Sequence, residues 1–305
     1  MNKRKSGGRD VHGILVLDKP PGITSNSALQ QVKRLFGAKK VGHTGSLDPL
    51  ATGVLPLCFG EATKFSQFLL NADKRYKVDA LLGISTKSGD SEGEICKERP
   101  CDHIQHGDVE QVLTRYRGEI EQIPSMFSAV KSNGQPLYRL ARQGLEVPRE
   151  PRSVKIFKNE LISFDSPKFS LDIHCSKGTY VRTLIADIGE DLKCGAHVTA
   201  LRRICAGPFD ENRAVTIDQI IEACRDNRSD ELLLPTWSGV KEWPAVYVAG
   251  SVAYNVRHGQ PVRINEAPLE GWVRLCETDG DAEEKFLGVG EVLSDGRVAP
   301  RRMIA

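Results

Sequence analysis

Residues 41–53 read Val-Gly-His-Thr-Gly-Ser-Leu-Asp-Pro-Leu-Ala-Thr-Gly and contain one acidic residue, Asp48, among three glycines. Glycine tolerates backbone conformations with positive φ, and Pro49 favours an extended or turn conformation at Asp48, so the stretch predicts a loop. Apolar segments at 13–17 and 54–59 flank this loop and indicate that a sheet holds its ends. A carboxylate on such a loop suits binding or catalysis, but an Asp before Pro is also a common turn residue.

The periodicity of apolar residues outside this loop predicts an α+β fold. Alternation with a period of two predicts strands at 76–83 and 169–175, each with one buried face. Helical spacing predicts helices over 24–37, 62–69, 109–116, 181–192 and 216–224. Residues 245–305 contain short apolar runs separated by turns. We therefore expect a mixed or antiparallel sheet with flanking helices, followed by a small β-rich C-terminal domain.

The charge of the chain is nearly balanced but unevenly distributed. A total of 42 basic and 40 acidic residues gives a net charge of +2, which is no global signature of nucleic-acid binding. Residues 131–160, however, contain seven basic and three acidic residues, whereas residues 245–305 contain seven basic and nine acidic residues. A basic segment suits a phosphate backbone, although a run of charge is also typical of an ordinary solvated surface.

The termini, linkers and cysteines indicate the organisation and location of the protein. Residues 1–10 are basic and have little apolar content, so we expect a disordered leader, and the composition of residues 225–244 is that of a linker. The eight cysteines contain no C-x-x-C pair, and no secretory or transmembrane segment precedes them. Reduced thiols and a cytoplasmic location follow as expectations, and we expect a monomer that does not bind membranes.

Eight different short motifs are distributed along nearly the whole chain. They are Gly13–Gly22, Gly42–Gly53, Gly60–Lys64, Asp73–Tyr76, Glu121–Met126, His174–Thr183, Cys194–Val198 and Gly296–Arg302. In order and separation they resemble the motifs of the TruB family, the bacterial-type tRNA pseudouridine-55 synthases. The resemblance implies a pseudouridine synthase catalytic domain over residues 11–240. It also implies an insertion at 123–150 that clamps RNA and a PUA-like RNA-binding domain over 245–305.

The resemblance implies three catalytic residues. Asp48 matches the family's nucleophile, Arg182 the arginine paired with it, and Tyr76 the tyrosine that stacks on the flipped uracil. An opposite charge within about 4 to 6 Å lowers a carboxyl pKa by ~1 to 3 units, so we expect a lowered pKa for Asp48. Without the resemblance, Arg182 is also explained as a phosphate contact or a surface ion pair. Tyr76 is then explained as a core residue whose hydroxyl is exposed to water.

Other residues match family positions that bind the substrate. The resemblance places His43, Tyr180, Leu201, Lys19 and Lys64 near the uracil pocket or the adjacent RNA. The basic segment adds candidate contacts to the RNA backbone at Lys131, Arg142, Arg149 and Arg152. Ser46 stands where the family motif often has Ala, a small change that affects none of these assignments.

These residues imply a tRNA pseudouridine(55) synthase that flips the target base into a pocket. The reaction exchanges a C1′–N1 bond for a C1′–C5 bond without net gain or loss of atoms, so it needs a nucleophile and a dry pocket rather than an external donor. We expect no cofactor and no metal, with the T-arm of tRNA as partner. Whether Asp48 attacks C6 or C1′ stays open. The alternative is a tRNA-binding or tRNA-folding protein, either with an idle pocket or in addition to catalysis.

Overall fold

The computed structural model describes residues 7–278 and 284–304. The strands are Gly13–Lys19 (β1), Val41–His43 (β2), Thr52–Phe59 (β3), Lys74–Leu82 (β4), Ile84–Thr86 (β5), Ile95–Glu98 (β6), Gly118–Gln122 (β7), Lys131–Ser132 (β8), Gln135–Pro136 (β9), Arg152–Asp165 (β10), Lys168–Cys175 (β11), Ala196–Ala206 (β12), Phe209–Asp210 (β13), Ala245–Val248 (β14), Val262–Arg263 (β15), Gly271–Glu277 (β16), Lys285–Val292 (β17) and Arg297–Met303 (β18). The helices are Ser25–Leu35 (α1), Ser66–Asn71 (α2), His106–Arg115 (α3), Leu137–Arg142 (α4), Val181–Asp191 (α5), Ile217–Arg225 (α6) and Gly250–Arg257 (α7).

A nine-stranded mixed sheet forms the larger part of the molecule. Its order is β1-β3-β12-β4-β11-β10-β7, with β13 paired to β12 and β2 paired to β3. Neighbouring strands along this order are antiparallel except β3 and β12, which run parallel. The α+β fold predicted from the sequence is therefore confirmed.

Helices α1, α3 and α5 cover one face of this sheet. Their apolar stripes share one core with the alternate residues Tyr76, Val78 and Ala80 of β4, which confirms the period-two pattern there. The predicted cap of α1 is also present, since the Thr24 side chain accepts a hydrogen bond from the Ser27 amide at 3.0 Å. The helix predicted over 62–69 is instead a 3₁₀ helix at Gly60–Phe65 followed by α2.

The C-terminal part is a second, smaller sheet of order β14-β16-β17-β18-β15, accompanied by α7, a helix that the sequence pattern missed. A cluster of aromatic side chains packs between this sheet and the larger unit. Phe68 of α2 lies 4.7 Å from Trp243 and 4.9 Å from Trp272, measured between ring centroids. The two units are therefore packed together through partly buried aromatic side chains.

Two expectations about irregular segments need correction. The linker predicted at 225–244 is packed onto the larger sheet, because Leu234 exchanges backbone hydrogen bonds with Ile14 at 2.8 and 2.9 Å. Of the leader predicted at 1–10, residues 1–6 lie outside the described residues. Arg9, however, exchanges backbone hydrogen bonds with Gly37 and Lys39 and forms an ion pair with Asp230, so the ordered chain begins before residue 11.

The segment 123–150, which we call the arm, contains the β8–β9 hairpin and helix α4. Its turns are closed by backbone hydrogen bonds from Leu137 to Val130 at 2.7 Å and from Tyr138 to Ser128 at 3.0 Å. The arm leaves the large sheet at the end of the edge strand β7 and returns at the start of β10, the strand paired with β7. Both of its ends are thus held by the same sheet.

Candidate active site

The Asp48 loop connects β2 to β3, as the sequence predicts, and its ends are pinned by the core. The Ser25 hydroxyl at the start of α1 is buried and bonds to both the amide and the carbonyl of Leu47, at 2.7 and 3.1 Å. Gly53 has a φ of +98°, and a Cβ at this position would lie 2.2 Å from the carbonyl oxygen of Arg203. The glycine therefore permits the close approach of β3 to β12 beside the loop.

Lys19 supports this loop from within the core rather than binding a ligand. Its side chain is fully buried, and its amino group donates hydrogen bonds to the carbonyls of Pro20 at 2.8 Å, Ile23 at 2.7 Å and Pro49 at 3.3 Å. Burial lowers the pKa of Lys19 to about 8. Because three carbonyls occupy the three donors of the amino group, Lys19 anchors the residue after Asp48 and leaves no donor free for a substrate in this structure, although its charge acts on Asp48.

Asp48 and Arg182 form the ion pair predicted from the family motif. Arg182 Nε lies 2.8 Å from Asp48 Oδ2. The arginine side chain is 6% exposed and the aspartate side chain 40%, so the pair is rooted in the interior while the carboxylate faces solvent. Arg182 is the second residue of α5. The N-cap residue of this helix is Tyr180, and its first residue is Val181.

Arg182 has further partners that the sequence did not reveal. Its Nη1 lies 3.2 Å from Oδ2 of the buried Asp90 and donates to the carbonyl of Ser88 at 2.6 Å. Its Nη2 donates to the carbonyl of Phe127 in the arm at 3.0 Å. One guanidinium thus serves two carboxylates and connects the catalytic loop to the arm.

The pKa of Asp48 is raised above its ordinary value, contrary to the expectation from the sequence. Burial raises it most, Arg182 lowers it, and the nearby Asp90 carboxylate raises it again. The expectation was wrong because it counted the arginine and omitted the loss of water and the second carboxylate. Arg182 therefore keeps Asp48 ionisable within an environment that otherwise favours protonation.

A cavity of about 330 Å³ opens beside this ion pair. Five of the residues predicted for the site line it: Asp48, Tyr76, Tyr180, Arg182 and Leu201. The volume is at the lower end of the range for small-molecule pockets, and an aromatic and an aliphatic wall suit a planar base. Burial raises the pKa of Tyr76, so its hydroxyl is protonated near neutral pH.

Gln122 holds the backbone of Tyr180 at the edge of this cavity. The buried amide of Gln122 donates from Nε2 to the Tyr180 carbonyl at 3.3 Å, and its Oε1 accepts from the Tyr180 amide at 3.1 Å. Gln122 is the last residue of β7, immediately before the arm. The end of β7, where the arm begins, therefore also positions Tyr180, the N-cap residue of α5.

The structure does not bring every predicted ligand-binding residue to this cavity. The amino group of Lys64 pairs with Glu61 at 2.5 Å and donates to the carbonyl of Met303 at 2.9 Å, so Lys64 contacts the C-terminal sheet instead. His43 lies on β2 outside the cavity lining, and its buried Nδ1 has no hydrogen-bond partner within residues 7–278 and 284–304. Burial and, to a smaller extent, Arg203 lower the pKa of His43, which favours a neutral imidazole.

The basic residues predicted to contact RNA differ in how freely they are presented. Lys131, Arg142 and Arg152 are exposed, and the guanidinium carbon of Arg142 lies 5.6 Å from the ring centroid of Tyr138. Arg149 instead closes the base of the arm, because it donates to the carbonyl of Pro124 at 3.1 Å and pairs with Glu146 at 2.9 Å. Its availability to RNA is therefore smaller than the sequence indicated.

The sequence reasoning also missed cavity residues and supports that lie on other elements. Lys74, Ser128 and Arg203 line the cavity, while Asp90 and Gln122 hold its walls. The "Asp73–Tyr76" motif contains Lys74, and Arg203 follows Leu201 by two positions, so both stood next to predicted residues. No local pattern distinguished Ser128, Asp90 or Gln122 from ordinary polar residues.

The sheet order, the aspartate paired with a buried arginine and the adjoining tyrosine-lined cavity define a pseudouridylate synthase, and comparison with known proteins agrees. The chain superposes on a chain in the crystal structure of a Cbf5–Nop10–Gar1 complex with a TM-score of 0.72 and 25% identity, covering 96% of this chain and 84% of that one. Residues 33–181 match the N-terminal domain of the TruB family pseudouridylate synthases. Residues 182–241 match the tRNA pseudouridylate synthase B C-terminal domain, and residues 244–304 match the C-terminal domain of pseudouridine synthase II TruB.

Full-length relatives give the same assignment. The chain is 54% identical over 299 residues to tRNA pseudouridine synthase B of Pseudomonas aeruginosa, covering 97% of each chain. It is 51% identical over 311 residues to tRNA pseudouridine synthase B of Tolumonas auensis, covering 99% of this chain and 95% of the relative. The chain therefore belongs to the TruB family of pseudouridylate synthases, and the recognition made from its motifs is confirmed. None of the helices in the described ranges is both long and apolar enough to span a membrane.

Proposed function

We propose that this chain isomerises the uridine at position 55 in the T-loop of tRNA to pseudouridine, with Asp48 as the nucleophile. The observation that carries the proposal is the 2.8 Å pair between Asp48 and Arg182 at a cavity of about 330 Å³. Curated relatives that share about half of its residues are tRNA pseudouridine synthases B, which supports tRNA as the substrate.

The cavity accounts for the handling of a flipped uridine. A base leaves its stack at a cost of a few kcal/mol, and stacking on an aromatic ring returns ~1 to 3 kcal/mol. Tyr76 provides this ring, and Leu201 of the neighbouring strand β12 and Tyr180 provide further lining. The base then lies beside the Asp48 carboxylate in a site from which most water is excluded.

The reaction proceeds through cleavage of the C1′–N1 bond, rotation of the base and formation of the C1′–C5 bond. Ionised Asp48 supplies the electron pair for attack, at C6 or at C1′, and is released at the end. Arg182 orients Asp48 and stabilises its negative charge. The hydroxyl of Tyr76 lies in the same cavity and relays the proton that leaves C5, taking it up on oxygen as its own proton passes on.

RNA contacts outside the cavity come from the arm and the C-terminal sheet. We assign residues 11–240 to the catalytic domain, residues 123–150 to an arm that clamps the T-arm, and residues 245–305 to a PUA-like RNA-binding domain. The exposed Lys131, Arg142 and Arg152 contact phosphates. A tRNA-folding role beside catalysis, a cytoplasmic location and a monomeric state stay predictions.

The test is release of tritium from a T-arm RNA labelled at uracil C5 of position 55. Wild type and the exposed control Asp102→Asn should release tritium, whereas Asp48→Asn should release none and still bind the RNA, because the amide keeps the shape of the side chain without its nucleophile. A second RNA, labelled at another uridine and with cytidine at position 55, should release none. Binding without release by wild type would favour the tRNA-folding alternative.

A further inference from the structure

Arg203 is a buried cation in the wall of the catalytic cavity. It lies on β12, its side chain is among the largest fully buried ones, and its residue exposure is 1%. Its Nε donates to the Val54 carbonyl at 2.7 Å and its Nη2 to the Gly45 carbonyl at 3.2 Å. These two bonds fix the guanidinium between β3 and the Asp48 loop.

Arg203 differs from its neighbour Arg202 in the groups that surround its guanidinium. Arg202 pairs with both Asp18 and Glu211, at 3.0 and 3.1 Å, on another surface of the same strand. In the described parts of the chain, 7–278 and 284–304, no ion pair includes Arg203. Desolvating an ion costs several kcal/mol, so a buried guanidinium that is bonded to neutral groups rather than to a carboxylate leaves a positive potential in the cavity.

The neighbouring groups respond to this potential. Arg203 lowers the pKa of Lys74, which burial and Arg203 together bring to about 8, and Lys74 lines the same cavity. Arg203 also opposes the effect of burial on Tyr76, through its charge and a hydrogen bond. Arg203, Tyr76 and Lys74 therefore line one cavity in which the charge of Arg203 acts on both neighbours.

The isomerisation generates a charge that matches this potential. When the C1′–N1 bond breaks, its electron pair leaves with the base, and the detached uracil carries negative charge over N1, O2 and O4. C5 of this anion then forms the new bond to C1′, the proton on C5 is removed, and N1 takes up a proton. On the C1′ route the Asp48 carboxylate becomes a neutral ester, the detached base carries the negative charge, and atoms and electrons balance without any co-reactant.

We propose that Arg203 is a further catalytic residue, which stabilises the negative charge on the detached uracil from a fixed position beside Tyr76. This inference rests on the proposed function and deepens it. Its two backbone hydrogen bonds hold the guanidinium in place before the reaction, so no reorganisation is needed when the charge appears. Arg182 differs in role because its charge is already neutralised by Asp48 and Asp90.

The test separates charge stabilisation from support of the loop by changing the leaving group. Single-turnover conversion is measured for T-arm RNAs with uridine or 4-thiouridine at the target, using wild type, Arg203→Met and Arg203→Lys. Sulfur in place of O4 stabilises the uracil anion by itself and leaves the C5 proton, whose loss completes the reaction, in place. Arg203→Met should therefore lower the rate by ~10²- to 10³-fold with uridine and by a clearly smaller factor with 4-thiouridine.

Arg203→Lys keeps the charge but loses the two-pronged hydrogen bonding, so it should lower both rates by a similar factor and keep the wild-type ratio between them. Arg202→Met is the matched control for removing an arginine from β12, and it should leave that ratio unchanged. If Arg203→Met does not fold, Arg203→Gln, which retains hydrogen-bond donors without charge, replaces it. Equal losses on both RNAs for the uncharged variant would overturn the proposal, and failure of wild type to convert either RNA would instead refute the proposed function.

Discussion

Replacement of Arg182 by Met tests the electrostatic balance at the catalytic aspartate most directly. Arg182 neutralises Asp48 and Asp90 at once, and its side chain is 6% exposed. Breaking a buried pair by removing one partner costs ~3 to 5 kcal/mol, because uncompensated charge stays in the interior. Loss of an opposite charge at this distance also raises the pKa of a carboxyl by ~1 to 3 units, and the pKa of Asp48 is already raised by burial.

Two measurements follow from these magnitudes. The acid limb of kcat/KM against pH should move upward by ~1 to 3 pH units in Arg182→Met, because Asp48 must be ionised to attack. The free energy of unfolding should fall by ~3 to 5 kcal/mol near neutral pH. Arg115→Met, which removes an exposed pair with Asp191, is the control and should cost ~0 to 1 kcal/mol.

The stability loss should depend on pH with a definite sign. Unpaired buried carboxylates have a folded-state pKa above the unfolded value of ~3.9, so the folded variant binds more protons than the unfolded chain in the window between the two values. Its stability therefore decreases as pH rises through that window, and the deficit relative to wild type is largest near neutral pH. The reasoning would be refuted if Arg182→Met lost the same free energy of unfolding near pH ~4 and near pH ~7 and if the acid limb of its kcat/KM profile did not move.

Three further perturbations test separate parts of the structure. Lys19→Met leaves buried carbonyls unpaired, at ~1 to 3 kcal/mol for each such group, and should lower kcat while RNA affinity is retained; lost affinity at full kcat would contradict its supporting role. Reversing Lys131 and Arg142 to Glu should weaken RNA binding and flatten its dependence on salt, with the exposed Lys168→Glu as control, and an unchanged salt slope would remove the arm from the interface. Trp272→Ala should cost ~1 to 3 kcal/mol in thermal or denaturant unfolding, because it removes a partly buried aromatic contact between the two units; a loss below ~0.5 kcal/mol would show that the two units are stabilised independently.

The predictions from sequence succeeded where the signal is local. Strand β4 and helix α1 follow from alternation and from a capped apolar stripe, which depend on residues close together in the chain. Failures occurred where a distant segment supplies the partner. The segment 225–244 has the composition of a linker, yet Leu234 pairs with Ile14 because the edge of the large sheet offers it unpaired backbone groups.

The sequence by itself determined the family, the α+β class and the acid on the glycine-rich loop, because ordered motifs and hydrophobic periodicity are properties of the chain alone. It also indicated Arg182 as the partner of Asp48 through a matched motif. Only the tertiary structure decided the electrostatics of the site. The pKa of Asp48, the occupied donors of Lys19 and the unpaired charge of Arg203 depend on burial and on carbonyls contributed by other elements. Solvent exclusion and these long-range contacts exist only once the sheet, the helices and the arm are assembled.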